Sequence, residues 1–152
     1  MSLVSTIEDD LNIALKGRDE VTVSTLRLLL SNLHNAKIAK GDELSDDEVI
    51  GEIFKDVKRH KESIEAYEKA QRAELASKET KELEILKKYL PVQMDEAQIT
   101  QIVNEVIAQI NPTGLADMGK VMAGVMAKVK GQADGAEVSR IVKASLSQDS
   151  DN

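Results

Sequence analysis

The sequence predicts an all-α protein in two parts, a helical N-terminal region with long helices and a small C-terminal three-helix bundle. Apolar residues recur at helical spacing along the chain, and nowhere do they alternate with period two for long enough to form a strand. Glycines and helix-capping residues punctuate this pattern. At Pro91 the chain changes from long, highly charged helices to short ones with frequent caps, which places the domain boundary there.

Residues 1–90 are predicted to form the N-terminal domain with four helices. The first two cover Leu3–Lys16 and Glu20–Lys40, and each is followed by a glycine. The third begins at a capping box and covers Ser45–Ala70. The fourth covers Arg72–Tyr89, and no helix breaker near its start shows whether it is continuous with the third.

Residues 91–148 are predicted to form the C-terminal domain with three short helices. These cover Asp95–Ile110, Asp117–Lys130 and the segment from Asp134 to Leu146, and each begins at an aspartate that can cap it. Residues 149–152 are polar and are predicted to form a frayed tail. Within the middle helix, three methionines at spacing four indicate core filling, with a partner-binding groove as the alternative.

Composition excludes several kinds of chemistry. The 152 residues include no cysteine, which rules out disulfides, catalytic thiolates and cysteine-bound zinc. Two histidines are too few for most histidine-based metal sites, so no metal and no cofactor are predicted, although a carboxylate-only Mg²⁺ or Ca²⁺ site stays open. Aromatic residues make up only 2% of the chain, so the core must be aliphatic and no aromatic platform for base stacking is expected.

The N-terminus lacks a basic start followed by an apolar run, so we expect no signal peptide. No apolar stretch approaches the roughly 20 residues needed to cross a bilayer. We therefore expect a cytoplasmic protein with no membrane partner.

Five motifs occur in order along the chain: Thr25-Leu26-Arg27, Lys61-Glu62-Ser63-Ile64, Tyr89-Leu90-Pro91, Asp117–Met122 and Gly131–Gly135. Together they resemble the YqeY family, and the chain is similar to the tail of the GatB subunit of glutamine-dependent tRNA amidotransferase. The resemblance implies a two-part helical fold and a link to tRNA, because the tail helps to hold the tRNA body in the amidotransferase. It also implies the label of a carbon–nitrogen ligase with glutamine as amide donor, which belongs to the larger enzyme.

Three positions depart from the family pattern as we expect it. His60 stands in place of an arginine, Gln71 in place of a glycine, and Gln132 in place of a basic residue. The changes at 60 and 132 weaken any anion-binding role for those two positions.

Amidotransferase chemistry needs a nucleophile to release ammonia from glutamine and an ATP site to activate the acceptor acid. The chain has neither a cysteine nor a glycine- and serine-rich cluster. The segment Gly114–Val121 fits seven positions of a phosphate-binding loop, but Val121 replaces the Mg²⁺-binding hydroxyl and no strand precedes it. In the alternative, which we favour, Asp117 caps a helix and Gly119 allows another helix to approach closely.

A polar cluster is predicted on the apolar faces of the third and fourth helices. Buried charges need partners, so we expect ion pairs between two groups of residues: Arg72, Glu79 and Glu82 on one helix, and Lys58, His60 and Lys61 on the other. The favoured interpretation is a structural clasp that fixes helix register. A catalytic role is the alternative.

The net charge is −7, but residues 117–143 hold five basic and three acidic residues, a local charge of +2. The basic residues are the candidate RNA contacts: Lys120, Lys128, Lys130, Arg140 and Lys143. Phosphates could bind these side chains or the N-terminus of the helix after Asp134, and an ordinary solvated face is the alternative.

The sequence therefore favours a helical module without intrinsic catalysis that binds tRNA or another structured RNA. Two alternatives stay open. One is an amidotransferase-related component that is active only with partner subunits, and the other is a scaffold that binds another protein.

Overall fold

The structure, a computed structural model, describes residues 1–149. Within that range it contains seven α-helices and no strand, which confirms the predicted all-α class. The helices are α1 (Leu3–Lys16), α2 (Glu20–Lys40), α3 (Asp46–Lys69), α4 (Ala73–Lys87), α5 (Glu96–Ile110), α6 (Met118–Val129) and α7 (Gly135–Asp149), with a short 3-10 helix at Leu115–Asp117. Helix α7 includes Asp149, which was predicted to lie in a frayed tail, and residues 150–152 lie outside the described range.

The chain divides into two compact units, Met1–Leu90 and Pro91–Asn152. In the first unit, α3 and α4 form a helical hairpin that packs with α1 and α2. Its core is aliphatic, as the composition requires, and is built from these buried residues: Ile7, Leu26, Leu29, Leu33, Val49, Ile53, Val57, Leu83 and Leu86. This packing holds the inner faces of α3 and α4 against each other.

The start of α3 carries the predicted capping box. The Ser45 hydroxyl accepts a hydrogen bond from the amide of Glu48, and the Glu48 carboxylate accepts one from the amide of Ser45. This reciprocal pair satisfies two amides that have no partner within the helix.

A three-residue turn separates α3 from α4, which settles the question of continuity that the sequence left open. Gln71 adopts a φ of +58°, in the left-handed region that favours glycine. Its conformation ends α3, and the amide of Arg72 donates to the carbonyl of Tyr67 at 2.8 Å. Arg72 therefore precedes α4, whereas the sequence pattern predicts that it lies within that helix.

In the second unit, α5, α6 and α7 pack around a valine-rich core. The buried residues are Ile99, Val103, Val106, Val121, Val125, Val129, Ala133, Val138, Ile141, Val142 and Leu146. Met118, Met122 and Met126 are partly buried against this core, as core filling predicts.

The glycine that permits close helix approach in this unit is Gly124. A Cβ atom added there would lie 2.9 Å from a methyl carbon of Val106 on α5. A Cβ atom at Gly119, the residue predicted for this role, would meet nothing within 4 Å. The close approach predicted for Gly119 is therefore wrong and occurs at Gly124, because periodicity does not show which side of a helix a neighbour approaches.

Candidate functional site

The polar cluster on the α3–α4 hairpin centres on His60. Its Nδ1 atom lies 2.5 Å from a carboxylate oxygen of Glu79 and 3.6 Å from one of Glu82. The three side chains are 13%, 21% and 14% exposed, respectively. Glu79 and Glu82 stand three residues apart on α4, a spacing that puts both carboxylates on one helix face. The structure thus brings together three of the six residues predicted for this cluster.

The other three residues lie elsewhere. Arg72 pairs with Glu74, two residues along the chain, through a contact of 3.0 Å. Its position in the turn before α4 explains this, because it leaves the side chain exposed and away from the hairpin interior. Lys58 and Lys61 are exposed and form no ion pair among the described side chains. The pairing predicted for Arg72 is therefore wrong, and the two lysines do not contribute to the cluster.

A buried aspartate beside the cluster was not predicted. Asp56 on α3 is 6% exposed, and both of its carboxylate oxygens accept hydrogen bonds from the side-chain amide of Asn32, at 3.2 and 3.1 Å. Arg59 approaches the same carboxylate at 3.4 Å. The signal in the sequence was its spacing, since Asp56 follows the inward-facing Ile53 by three residues.

A small cavity of about 150 Å³ opens between α2, α3 and α4 next to these groups. Its polar lining comes from these side chains: Ser24, Thr25, Asp56, His60, Lys78 and Glu82. The hydroxyl of Thr25 donates to the carbonyl of Val21 at 2.7 Å, so it is already engaged within α2. Because His60 and Glu82 line the cavity, solvent can reach the imidazole of His60 and the carboxylate of Glu82 through it.

The five predicted RNA contacts are all exposed on α6, at its C-terminal end or on α7. Three of them lie near carboxylates: Lys120 at 4.0 Å from Asp117, Lys128 at 3.9 Å from Glu105, and Arg140 at 3.4 Å from Glu96. Lys130 and Lys143 form no ion pair among the described side chains. The basic surface, meaning these five residues, is thus interleaved with acidic groups.

The N-terminus of α7 already has a carboxylate beside it. The amide of Ala136 donates to the side chain of Asp134, at 3.4 Å. An anion bound at this helix end would face that negative charge, so the phosphate site predicted there has an internal competitor.

The segment that resembles a phosphate-binding loop has a different architecture. The positions after Gly114 form the 3-10 helix Leu115–Asp117 and not an open loop. A phosphate-binding loop also follows a strand, and no strand precedes this segment in residues 1–149. The Asp117 carboxylate accepts hydrogen bonds from the amide and hydroxyl of Thr113, at 2.8 and 3.0 Å, and these bonds lower the pKa of Asp117. Asp117 therefore stabilises the preceding turn. Its side chain makes no capping hydrogen bond to α6, so the capping role predicted for it is wrong.

Comparison with known proteins decides the family. The family model described as Yqey-like protein matches residues 4–146. This chain belongs to the YqeY-like family. The resemblance predicted from the five motifs is thereby confirmed.

Relatives of this YqeY-like chain include proteins of fungi. An uncharacterized protein of Schizosaccharomyces pombe is 31% identical over 59% of this chain and 73% of its own length. Two further relatives carry the name altered inheritance of mitochondria protein 41, mitochondrial. The protein of Lachancea thermotolerans is 32% identical over 72% of this chain and 62% of its own length. The protein of Pyrenophora tritici-repentis is 27% identical over 84% of this chain and 71% of its own length. None of the helices in residues 1–149 is long and apolar enough to span a membrane.

Proposed function

We propose that this YqeY-like chain is a binding module that holds tRNA or another structured RNA through the basic surface of its C-terminal unit. The observation that carries the proposal is the exposure of all five cations on α6, its end and α7. The similarity to the tail of the amidotransferase GatB subunit supports RNA as the ligand. The lack of cysteine and of a glycine- and serine-rich cluster supports binding over intrinsic glutamine chemistry, which needs an activated nucleophile.

The ion pairs on the basic surface are weak enough for phosphate to replace them. They span 3.4–4.0 Å, and the cations involved are 40–77% exposed. Exposed pairs of this kind contribute about 0–1 kcal/mol each. Lys130 and Lys143 need no such exchange, so we expect them to be the leading phosphate contacts.

Binding of this kind should be weak, salt-sensitive and indifferent to base sequence. At most five phosphates can be neutralised, so a plot of log Kd against log salt concentration should have a slope of roughly 4.5 or less. The three aromatic residues, Phe54, Tyr67 and Tyr89, all belong to the N-terminal unit. The basic surface therefore recognises backbone and shape without base stacking.

Titration of labelled tRNA with the purified chain, followed by fluorescence anisotropy at low and moderate salt, tests the proposal. Reversing two charges in Lys130→Glu/Lys143→Glu should weaken binding about tenfold or more, because two attractive contacts become repulsive. The matched control, Lys58→Glu/Lys81→Glu, changes net charge equally in the N-terminal unit and should leave binding close to wild type. No binding at low salt, or equal losses in the two double variants, would refute RNA binding through this surface.

A protein partner is the second candidate, favoured by exposed apolar residues in the N-terminal unit. Ile13, Leu28 and Ile38 are all more than half exposed on α1 and α2. Partner subunits with glutaminase and ATP sites would make the chain an amidotransferase component, as the family label suggests. Co-purification of such subunits, lost in the variant Leu28→Ser/Ile38→Ser, would support this function. If the chain purifies alone, with no such subunit retained, the amidotransferase function is excluded.

The cellular compartment is part of the same question. The sequence predicts the cytoplasm, whereas several relatives are mitochondrial by name. We keep cytoplasmic residence as the prediction for this chain. Fractionation of the source cells with an antibody against the full protein checks it.

A further inference from the structure

We propose that His60, Glu79 and Glu82 form a binding site for a divalent transition-metal ion of the Zn²⁺ or Mn²⁺ class. The site lies in the N-terminal unit and is separate from the basic surface on α6 and α7. It does not depend on RNA binding, so each proposal can fail without the other.

The three side chains supply a donor set of one imidazole and two carboxylates. An imidazole nitrogen and two carboxylate oxygens suit the borderline divalent metals, since imidazole selects Zn²⁺, Fe²⁺ or Ni²⁺ while carboxylates also accept Mn²⁺. A site made of carboxylates alone would favour Mg²⁺ or Ca²⁺, which take oxygen ligands. The presence of His60 therefore points to the transition metals.

The ligand atoms of the three residues lie close to one another. One ligand atom from each of the three residues lies within 4.8 Å of the other two. A metal with bonds of about 2.1 Å holds neighbouring ligand atoms roughly 3–3.5 Å apart. The separation of 3.6 Å between His60 and Glu82 is just above this range, and the hydrogen bond of 2.5 Å between His60 and Glu79 is below it and must open. Rotation of the flexible Glu79 side chain can provide this movement while the helices stay fixed.

The cluster holds two carboxylates and a single histidine. Glu79 and Glu82 are like charges on one face of α4, both mostly shielded from solvent, and such pairs repel each other. His60 is their one partner among the described ion pairs. Asp56 adds a further carboxylate to the adjoining cavity, although Asn32 and Arg59 already engage it. A divalent cation would neutralise this negative group.

Lys78 also lines the cavity, and its ammonium could compete with a metal ion for the carboxylates. Its ammonium makes no ion pair within 4.0 Å among the described side chains. Lys78 thus leaves the carboxylate oxygens available to a metal. Its positive charge should still lower the affinity, which makes Lys78→Met a variant expected to bind the ion more tightly.

An ion can reach the cluster through the adjoining cavity. The cavity of about 150 Å³ is lined by His60 and Glu82. Since a water molecule occupies about 30 Å³ in the liquid, the cavity has room for a few waters. These can complete the coordination of an ion that has only three protein ligands. The site would therefore keep open positions, as catalytic metal sites do and closed structural sites do not.

Calorimetric titration of the full chain with ZnCl₂ and with MnCl₂ tests the site. We expect one ion per chain with at least one of the two metals, and a visible absorption band when Co²⁺ is bound. His60→Gln, Glu79→Gln and Glu82→Gln should each weaken binding about tenfold or more, since even outer partners of metal ligands have effects of about 10–100-fold. The other histidine, in His34→Gln, provides the matched control and should bind as wild type does.

The variant His60→Arg separates a metal site from a purely structural clasp. A guanidinium can pair with both glutamates but has no lone pair to offer a metal. We expect this variant to fold, by circular dichroism, and to lose the metal. The proposal is overturned if neither metal binds wild type at a one-to-one ratio, if His60→Arg still binds, or if His34→Gln has the same effect as His60→Gln.

Discussion

Tyr89 donates a hydrogen bond of 2.6 Å from its phenol to a carboxylate oxygen of Asp10, a residue 79 positions earlier in the chain. Asp10 belongs to α1, and Tyr89 follows the end of α4 while packing against the N-terminal core. The bond thus ties the first helix of this unit to its last segment. Burial raises the pKa of the Tyr89 phenol, and the hydrogen bond to Asp10 raises it further.

Removing this bond should destabilise the N-terminal unit. We expect Tyr89→Phe to lower the free energy of unfolding by about 1.5 kcal/mol, because the ring stays in place and one hydrogen bond to a charged acceptor is lost. Chemical denaturation followed by circular dichroism measures the change. Tyr67→Phe is the control, since no hydrogen bond of its hydroxyl is described, and it should be near neutral. Equal effects in the two variants would contradict the assignment.

The same bond predicts a dependence on alkaline pH. The pKa of Tyr89 is higher in the folded state than its ordinary value of about 10, so the protonated phenol stabilises the fold. That stabilisation is fully present below the unfolded pKa and is lost as pH rises through the folded pKa. The stability difference between wild type and Tyr89→Phe should therefore be constant from neutral pH to about 10 and shrink above it. A difference that disappears below pH 9 would be inconsistent with this explanation.

The turn between α3 and α4 contains a residue that glycine should improve. Gln71 holds a φ of +58°, where a side chain is strained and glycine is not. We expect Gln71→Gly to raise the free energy of unfolding by up to about 1 kcal/mol, since relief of strain exceeds the entropy cost of glycine. Thermal unfolding measures this. The neighbouring Ala70 has a φ of −83°, so Ala70→Gly should stabilise nothing, and a gain there would disprove the role of backbone strain.

Two glycines of α6 should respond in opposite directions to alanine. In Gly124→Ala the new methyl group would lie 2.9 Å from a methyl carbon of the buried, β-branched Val106, so we expect a loss of about 1–3 kcal/mol. Gly119→Ala adds a methyl group to open space on a helix and should be stabilising by up to about 1 kcal/mol. Denaturation measures both, with hydrogen exchange reporting on α5 and α6. A destabilised Gly119→Ala variant would refute this account of the interface.

How far the sequence could predict this structure depends on the range of each interaction. Helix positions depend on local periodicity and caps, and α1, α2 and the capping box at Ser45 follow from neighbours within four residues. Inward spacing on α3 and α4 was also enough to place His60 near Glu79 and Glu82. These features need no knowledge of how distant segments pack.

Features that depend on packing direction were not predictable in the same way. Asp117 could cap α6 or accept from Thr113, and only the path of the turn before it decides for Thr113. The partner of Asp56 is Asn32, 24 residues away on another helix, so nothing local in the sequence pairs them. The cavity beside His60 exists because three helices meet there, and its lining combines residues from α2, α3 and α4.

The capping box at the start of α3 should make stability depend on acidic pH through Glu48. The hydrogen bond from the Lys40 ammonium, at 2.8 Å, and that from the Ser45 amide hold the pKa of Glu48 below its ordinary value of about 4.3. A carboxylate with a lowered pKa stabilises the fold fully above the unfolded pKa, and this contribution is lost as pH falls through the folded pKa.

Glu48→Gln should therefore flatten the dependence of unfolding free energy on pH below about 5, because the amide keeps an acceptor but does not titrate. Denaturation curves collected from neutral pH to about pH 3 measure this slope. Glu62→Gln removes the same charge from an exposed position of α3 for which no ion pair is described, and it is the matched control. Since Lys40 contributes through charge, added salt should reduce the effect in wild type. If Glu62→Gln flattened the profile as much as Glu48→Gln, the dependence would reflect overall charge and the capping box would have no part in it.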